Sequence, residues 1–181
     1  MYISKYFRYL STIIKLKIYR VKFHYKVSGN NFYINNKGTI ILDENVYLHS
    51  FPDGSSFRTA LSTYYPEAKI TIGKNSSLNG TVIHCNEKVA IGENCLFGPG
   101  VIICDNNSHN VVINTIERRK KPKSAPITFE DNVWVGMNTL ILKGVNIGKN
   151  SIIAANSVVL KDIKSNSLYG GNPARFIRSI Y

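Results

Sequence analysis

The sequence predicts an all-β solenoid carrying a protruding mid-chain loop, a basic N-terminal segment and a short C-terminal tail. Three observations point there. A large apolar residue recurs every six positions through the second half of the chain. Small or polar residues follow it at fixed offsets. The chain is also a folding one with room for a single core: its 181 residues are 44% apolar and 19% charged, which excludes a disordered protein and two full domains.

The basic segment, residues 1–30, comes first. Met1 to Lys26 hold Lys5, Arg8, Lys15, Lys17, Arg20, Lys22 and Lys26 and no acidic residue. Ile3, Phe7, Leu10, Ile13, Ile14 and Ile18 recur at the spacings of one helix face. Two roles stand open for that face. It caps the core or packs on another subunit, or it lies on an anionic membrane with basic side chains near the headgroups. The whole chain favours an anionic partner, since 23 Lys and Arg against 11 Asp and Glu leave a net charge of +12.

Residues 31–166 are the expected solenoid. Phe129, Val135, Ile141, Ile147, Ile153 and Val159 follow one another at intervals of six. Gly136, Gly148 and Ala154 come directly after three of them, and Thr139, Val145, Ser151 and Ser157 sit four positions on, with Ile163 a larger exception. The register also appears at Ile72, Leu78, Ile91, Phe97 and Ile103, with a hint at Leu42 and Val46 to Leu48. A period of six is neither 3.6 nor 2, so no helix and no single strand explains it. Three short strands and three tight corners per 18-residue turn do, with the apolar residues stacked along the axis about 4.8 Å apart.

Two places break the register. Leu78 and Ile91 are 13 apart, which puts His84 where an aliphatic is due and adds one residue to that coil. Ile103 and Phe129 are 26 apart, leaving room for a loop over residues 105–125 that ends in Arg118, Arg119, Lys120 and Lys121. A polar excursion from a regular scaffold is where function concentrates. The basic run is read either as a solvated face or as a grip on an acidic glycan or lipid-linked phosphate. Residues 167–181 form the tail.

Three cysteines, Cys85, Cys95 and Cys104, exclude a fully paired disulfide framework, and none forms a CxxC pair. They read as reduced core residues of a cytoplasmic protein. The longest apolar runs, such as Val111-Val112-Ile113, fall far short of the roughly 20 residues that span a bilayer. The N-terminus lacks the pattern of a secretory signal. The expected location is cytoplasmic, or peripheral at the inner face of the cell membrane; no nucleic-acid partner is expected.

The hexads from Ile70 to Val159, the stretch APITFEDNVWVGMNTLILKGVNIG (Ala125 to Gly148) and the close SLYGGNPARFIRSI (Ser167 to Ile180) together resemble the hexapeptide-repeat acyltransferases. The resemblance covers residues 70–180. It implies a left-handed parallel β-helix, a homotrimer with active sites between subunits, and acetyl transfer from acetyl-CoA to a hydroxyl or amine. The loop and the Val-Trp-Val-Gly coil are most similar to O-acetyltransferases of sugars, including those of capsule and O-antigen glycans. The N-terminal third departs from the galactoside and maltose type.

Such transfer needs a base for the acceptor proton and donors for the tetrahedral oxyanion. Of His24, His49, His84 and His109, His109 stands in the loop where the family places its catalytic histidine. Many relatives read Asp-His-Asn-x-His there, whereas this chain reads Asp105-Asn106-Asn107-Ser108-His109. His84 is the rival, as a substrate contact, a second catalytic histidine or a structural residue. Asn79, or a backbone N–H at Gly136 or Met137, is a candidate for orienting substrate or for the oxyanion. The resemblance puts Trp134 near the acetyl-CoA pantetheine, Ala154, Ala155 and Ser157 along its groove, and Lys161, Arg175 and Arg178 at the CoA end. No cysteine is a persuasive nucleophile, so direct transfer is expected. An amine acceptor on a nucleotide-linked sugar stays open, as does a non-catalytic solenoid. A metal enzyme resembling the γ-class carbonic anhydrases would need clustered histidines that this chain lacks, so no metal is expected.

Overall fold

The computed structural model describes residues 2–50 and 57–180, with side chains from residue 7 onward. Helix α1 (Tyr2–Ile18) opens the chain. Its end is closed by Arg20 at φ 52°, which lets the Val21 N–H reach back to the Leu16 carbonyl at 3.0 Å and the Arg20 N–H to Lys17 at 3.0 Å. Thr12 and Leu16 are buried against the first coil, whereas Phe7, Leu10, Ile14 and Ile18 are exposed. Ile3 of the expected apolar face and Lys5 of the basic segment lie outside the described side chains.

The first coil holds β1 (Lys22–Phe23), β2 (Ser28–Gly29) and β3 (Tyr33–Asn36). The second holds β4 (Thr39–Leu42), β5 (Tyr47–His49) and β6 (Ala60–Thr63), and the third β7 (Lys69–Ile72), β8 (Ser77–Asn79) and β9 (Val82–Cys85). The fourth holds β10 (Lys88–Ile91), β11 (Leu96–Phe97) and β12 (Ile102–Cys104), after which the loop departs with a short helix α2 (Thr115–Arg118). The fifth holds β13 (Ile127–Phe129), β14 (Trp134–Val135) and β15 (Leu140–Leu142); the sixth holds β16 (Asn146–Ile147), β17 (Ile152–Ile153) and β18 (Val158–Val159). Then β19 (Ser167–Gly170) lies parallel on β17, and β20 (Arg175–Ser179) returns antiparallel on β19.

Each side of the solenoid is one sheet: β1-β4-β7-β10-β13-β16, then β2-β5-β8-β11-β14-β17-β19-β20, then β3-β6-β9-β12-β15-β18. The solenoid therefore starts at Lys22, inside the segment 1–30, and the second sheet runs on through the tail.

Stacked interior columns hold the coils together. Leu42, Ile72, Ile91, Phe129 and Ile147 form one, and Leu48, Leu78, Phe97, Val135 and Ile153 a second. All are buried, and each contributes about 1.5–3 kcal/mol by leaving water. The third column is Ile34, Leu61, Ile83, Ile103, Ile141 and Val159. Ile83, and not His84, thus takes the interior place. The corner after Leu78 is one residue shorter than its counterpart after Phe97, and the additional length falls instead between Ile83 and Ile91, where β9 turns both Ile83 and Cys85 inward.

The corners between the first and second sheets use asparagine. Asn45, Asn75, Asn94, Asn132 and Asn150 all sit at φ between 56° and 60°, a region Asn tolerates better than other side-chain-bearing residues. Their amides link coil to coil: Asn45 to Asn75 and Asn75 to Asn94 at 3.1 Å, Asn132 to Asn150 at 2.9 Å, and Asn150 to Asn166 at 2.8 Å.

Candidate active site

The loop is held at its neck by a buried carboxylate. Asp105 follows β12, and its side chain is fully buried. One oxygen accepts the Asn86 N–H at 2.8 Å and the Asn106 Nδ2 at 3.0 Å; the other accepts the Glu87 N–H at 2.8 Å and the Lys88 N–H at 2.9 Å. The strands of the neck close through Ala125 N–H to Asp105 O at 2.8 Å and a bridge between Asn106 and Ser124. Asn106 Oδ1 then accepts the Ser108 N–H at 2.8 Å, and Ser108, at φ 60°, turns the chain toward His109.

Beyond the neck the loop is ordered by its own polar groups. Asn114 caps α2 by accepting the Ile116 and Glu117 N–H groups. Asn110 Nδ2 reaches the Glu117 carbonyl at 3.1 Å. Arg118 donates to the Val112 carbonyl at 2.9 and 3.0 Å, Lys120 pairs with Glu117 at 2.6 Å, and Lys121 pairs with Glu67. Most of the basic run is thus engaged within the chain itself.

His84 lies on the outer face of β9, half-buried. Its Nδ1 is 3.0 Å from the Tyr64 hydroxyl, and the rings stack at 5.8 Å and 2°. Burial pushes its pKa below the ordinary 6.5, so the imidazole is neutral at physiological pH. Two clefts flank it. One, of about 310 Å³, is lined by Tyr64, Tyr65, His84, Asn86, Asn106 and Ser108 among others; the second, of about 530 Å³, by His84, Ile102, Asn106, Asn107 and Leu140 among others. His109 is the next residue after Ser108 and is exposed. Burial raises the Cys85, Cys95 and Cys104 thiols, which leaves little thiolate for nucleophilic attack.

The other expected residues lie elsewhere. Asn79 ends β8 in the second sheet, in register with His49. Trp134 is exposed on the same sheet, between Leu96 and Ile152. Ala154 is half-buried and Ala155 exposed on the adjoining coil. The Gly136 N–H donates to Ile153 O at 2.8 Å, so it is spent in the ladder and offers nothing to an oxyanion; the Met137 N–H takes no part in the ladder. A Cβ at Gly136 would meet Ala155 N at 2.6 Å, which explains the glycine. Ser157 is buried, and its hydroxyl donates to Ala154 O at 2.6 Å and accepts the Gly171 N–H at 3.2 Å, so it braces a corner rather than lining a groove. Lys161, Arg175 and Arg178 are exposed, and none enters an ion pair among the described residues.

Two groups result. His84 lies on the third sheet, from whose strand β12 the loop neck and His109 depart, and Trp134, Arg175 and Arg178 lie on the second, with Ala154 just beyond β17. Sequence reasoning missed Asp105 as an anchor and Tyr64 as the partner of His84.

The profile described as bacterial transferase hexapeptide (six repeats) matches residues 126–161. The chain also superposes on a galactoside acetyltransferase in complex with coenzyme A at a TM-score of 0.55 and 32% identity, over 82% of this chain and 65% of that one. Residues 126–161 thus carry the hexapeptide repeat of that profile, and the chain shares its architecture with the hexapeptide-repeat acetyltransferases. The fold is accordingly the left-handed parallel β-helix of that family. A hexapeptide-repeat acetyltransferase from Vibrio cholerae complexed with acetyl coenzyme A superposes at 0.63 with 26% identity, covering 94% of this chain and 76% of that one. By sequence, this hexapeptide-repeat chain is 37% identical over 115 residues to a galactoside O-acetyltransferase of Escherichia coli, 62% of this chain and 55% of that protein. A putative acetyltransferase of Saccharomyces cerevisiae is 43% identical over 116 residues, 62% and 57% of the two chains. The chain spans a little over half the length of these relatives.

Proposed function

We propose that this chain is an acetyl-CoA-dependent O-acetyltransferase that acts in the cytoplasm on a sugar hydroxyl of a capsule or O-antigen type glycan or its precursor. The observation that carries this reading is the anchored neck. A buried carboxylate with four donors fixes the backbone four residues before His109, beside a cleft walled by Tyr64, Tyr65, His84, Asn86 and Asn106. An imidazole carried on an anchored loop near such a cleft supports removal of a hydroxyl proton. Tyr64 and His84 offer the acceptor a ring face and hydrogen-bonding edges.

Acetyl-CoA supplies the acetyl group as a thioester. His109 accepts the proton of the acceptor hydroxyl as its oxygen attacks the carbonyl, and later returns it to the departing sulfur. The Met137 N–H is the oxyanion donor in this reading, since the Gly136 N–H is committed to Ile153 O. Lys161, Arg175 and Arg178 fit a phosphate-bearing tail, being exposed cations without carboxylate partners among the described residues. The two groups stand on different sheets, so a homotrimer, with the third sheet of one subunit facing the second sheet of its neighbour, brings them together.

The test is thiol release from acetyl-CoA against sugars, nucleotide sugars, amino sugars and glycan fragments, with wild type beside His109→Ala. A loss of roughly 10²-fold or more in acceptor-dependent release is expected. Undiminished release in the variant would transfer the base role away from His109. A preference for amino sugars would replace O- with N-acetylation.

A further inference from the structure

Helix α1 has two faces with different fates. Thr12 and Leu16 are buried, and Thr12 Oγ1 donates to the Gly29 carbonyl at 3.0 Å, which seats the helix over the end of the first coil. Roughly 180° around the helix, at 3.6 residues per turn, lie Phe7, Leu10, Ile14 and Ile18. They are between 43% and 69% exposed. An apolar stripe on a core-capping helix ordinarily turns inward, and this one turns away from the solenoid. Core packing therefore does not account for it.

Lys17 borders the stripe on one side, and Arg8 lies farther round the helix, toward Gly29 and Tyr47; both are exposed. The first acidic residue of the whole chain is Asp43, so nothing on α1 or in the first coil offsets these cations with a carboxylate of its own. We propose that this outward face docks the protein on an anionic lipid bilayer, with the apolar stripe at the acyl boundary and the basic edges at the headgroup phosphates. Charge complementarity selects the lipid surface, since Lys17 borders the apolar residues, Arg8 adds a second exposed cation on the flank, and no carboxylate stands on α1 or in the first coil. Among the described residues no helix is long and apolar enough to cross a membrane, so α1 lies along the surface. The inference does not depend on the acetyl-transfer reading, and it holds or fails without any turnover.

Flotation of the full chain with vesicles of phosphatidylcholine, with and without phosphatidylglycerol, tests it. The bound fraction is expected to rise with phosphatidylglycerol and to fall steeply near 1 M salt, where the Debye length is about 3 Å. Phe7→Ser with Ile14→Ser should lower partitioning at least ~10-fold. Arg8→Glu with Lys17→Glu should abolish the preference for phosphatidylglycerol while leaving the stripe intact. All four side chains are exposed, and an unchanged thermal unfolding curve checks that each pair still folds. Protein that stays unbound at every phosphatidylglycerol content overturns the proposal, as does binding indifferent to the serine pair. A fall in solution mass caused by the serine pair would assign the stripe to a second copy of the chain and overturn it equally.

Discussion

Asp105→Asn isolates the anchor of the loop. The substitution keeps the volume and removes one acceptor oxygen. In the folded chain Oδ2 receives the Glu87 and Lys88 N–H groups, and Oδ1 receives Asn86 N–H and the Asn106 amide. An asparagine can turn its oxygen to one of these pairs only, and its NH₂ then faces two donors. The site is fully buried, so water does not substitute. Each orphaned buried donor costs about 1–3 kcal/mol, and partial relaxation of the corner puts the pair near ~3 kcal/mol. At about 1.4 kcal/mol per factor of ten, local opening becomes roughly 10²-fold more frequent.

Amide hydrogen exchange reads this directly. Protection at Glu87 and Lys88 should drop by about that factor, while amides of β17, three coils away from the corner, keep theirs, because coils in a solenoid couple chiefly to their neighbours. Acetyl transfer should fall chiefly in kcat, since a base displaced by an ångström loses on the order of 10²-fold. If the two amides remain as protected as before and turnover stays within about twofold, the carboxylate is not what holds the loop, and the reasoning fails.

The asparagine corners make a ranked prediction: Asn132→Ala, at φ 58° and with its link to Asn150 removed, should lower stability by about 1–2 kcal/mol, and Asn132→Gly by clearly less. Urea unfolding midpoints in the reverse order would contradict it. For His84, burial holds the folded pKa below 6.5, so the unfolded chain takes up the proton first as pH falls. The stability contributed is complete above that value and is lost on acidification through the window below it; thermal unfolding compared at neutral and mildly acid pH should show a smaller acid loss in His84→Gln than in wild type.

How much of this was legible depends on how regular each coil is. From Phe129 to Val159 every side has six residues, so the interior column stands out in the sequence. In the first three coils the third side is a four-residue strand, Tyr33–Asn36, Ala60–Thr63 and Val82–Cys85, and the longer side breaks the count. Counting sixes from Leu78 lands on His84, when the interior residue is Ile83, because the corner after Leu78 is one residue short. The loop was visible as a gap in the register, and His109 as a lone loop histidine. Asp105 was not, because its partners are backbone N–H groups 17–19 positions earlier, which leave no mark in side-chain identity. Tyr64 joins His84 across a coil boundary that the broken register concealed.

The irregular side and the loop anchor have one physical cause. Asn36, Thr63 and Cys85 occupy successive levels of one column in the third sheet, and Asp105 follows Cys104, the register partner of His84, at the next level. Where β9 overshoots, the corner at Asn86–Lys88 directs three N–H groups at this column, and an interior of aliphatic residues would leave them unpaired at a cost of several kcal/mol. Two coils lower down, Thr63 meets the smaller version of the same demand, accepting the Lys37 and Gly38 N–H groups at 3.0 and 2.9 Å. Asp105 meets the larger one with two oxygens. The overshoot of the strand that carries His84 on its outer face therefore creates the need for the carboxylate that fixes the neck of the loop bearing His109. The candidate site stands where the repeat fails because a regular hexad has neither the outward histidine nor the convergent amides to hold a loop in place.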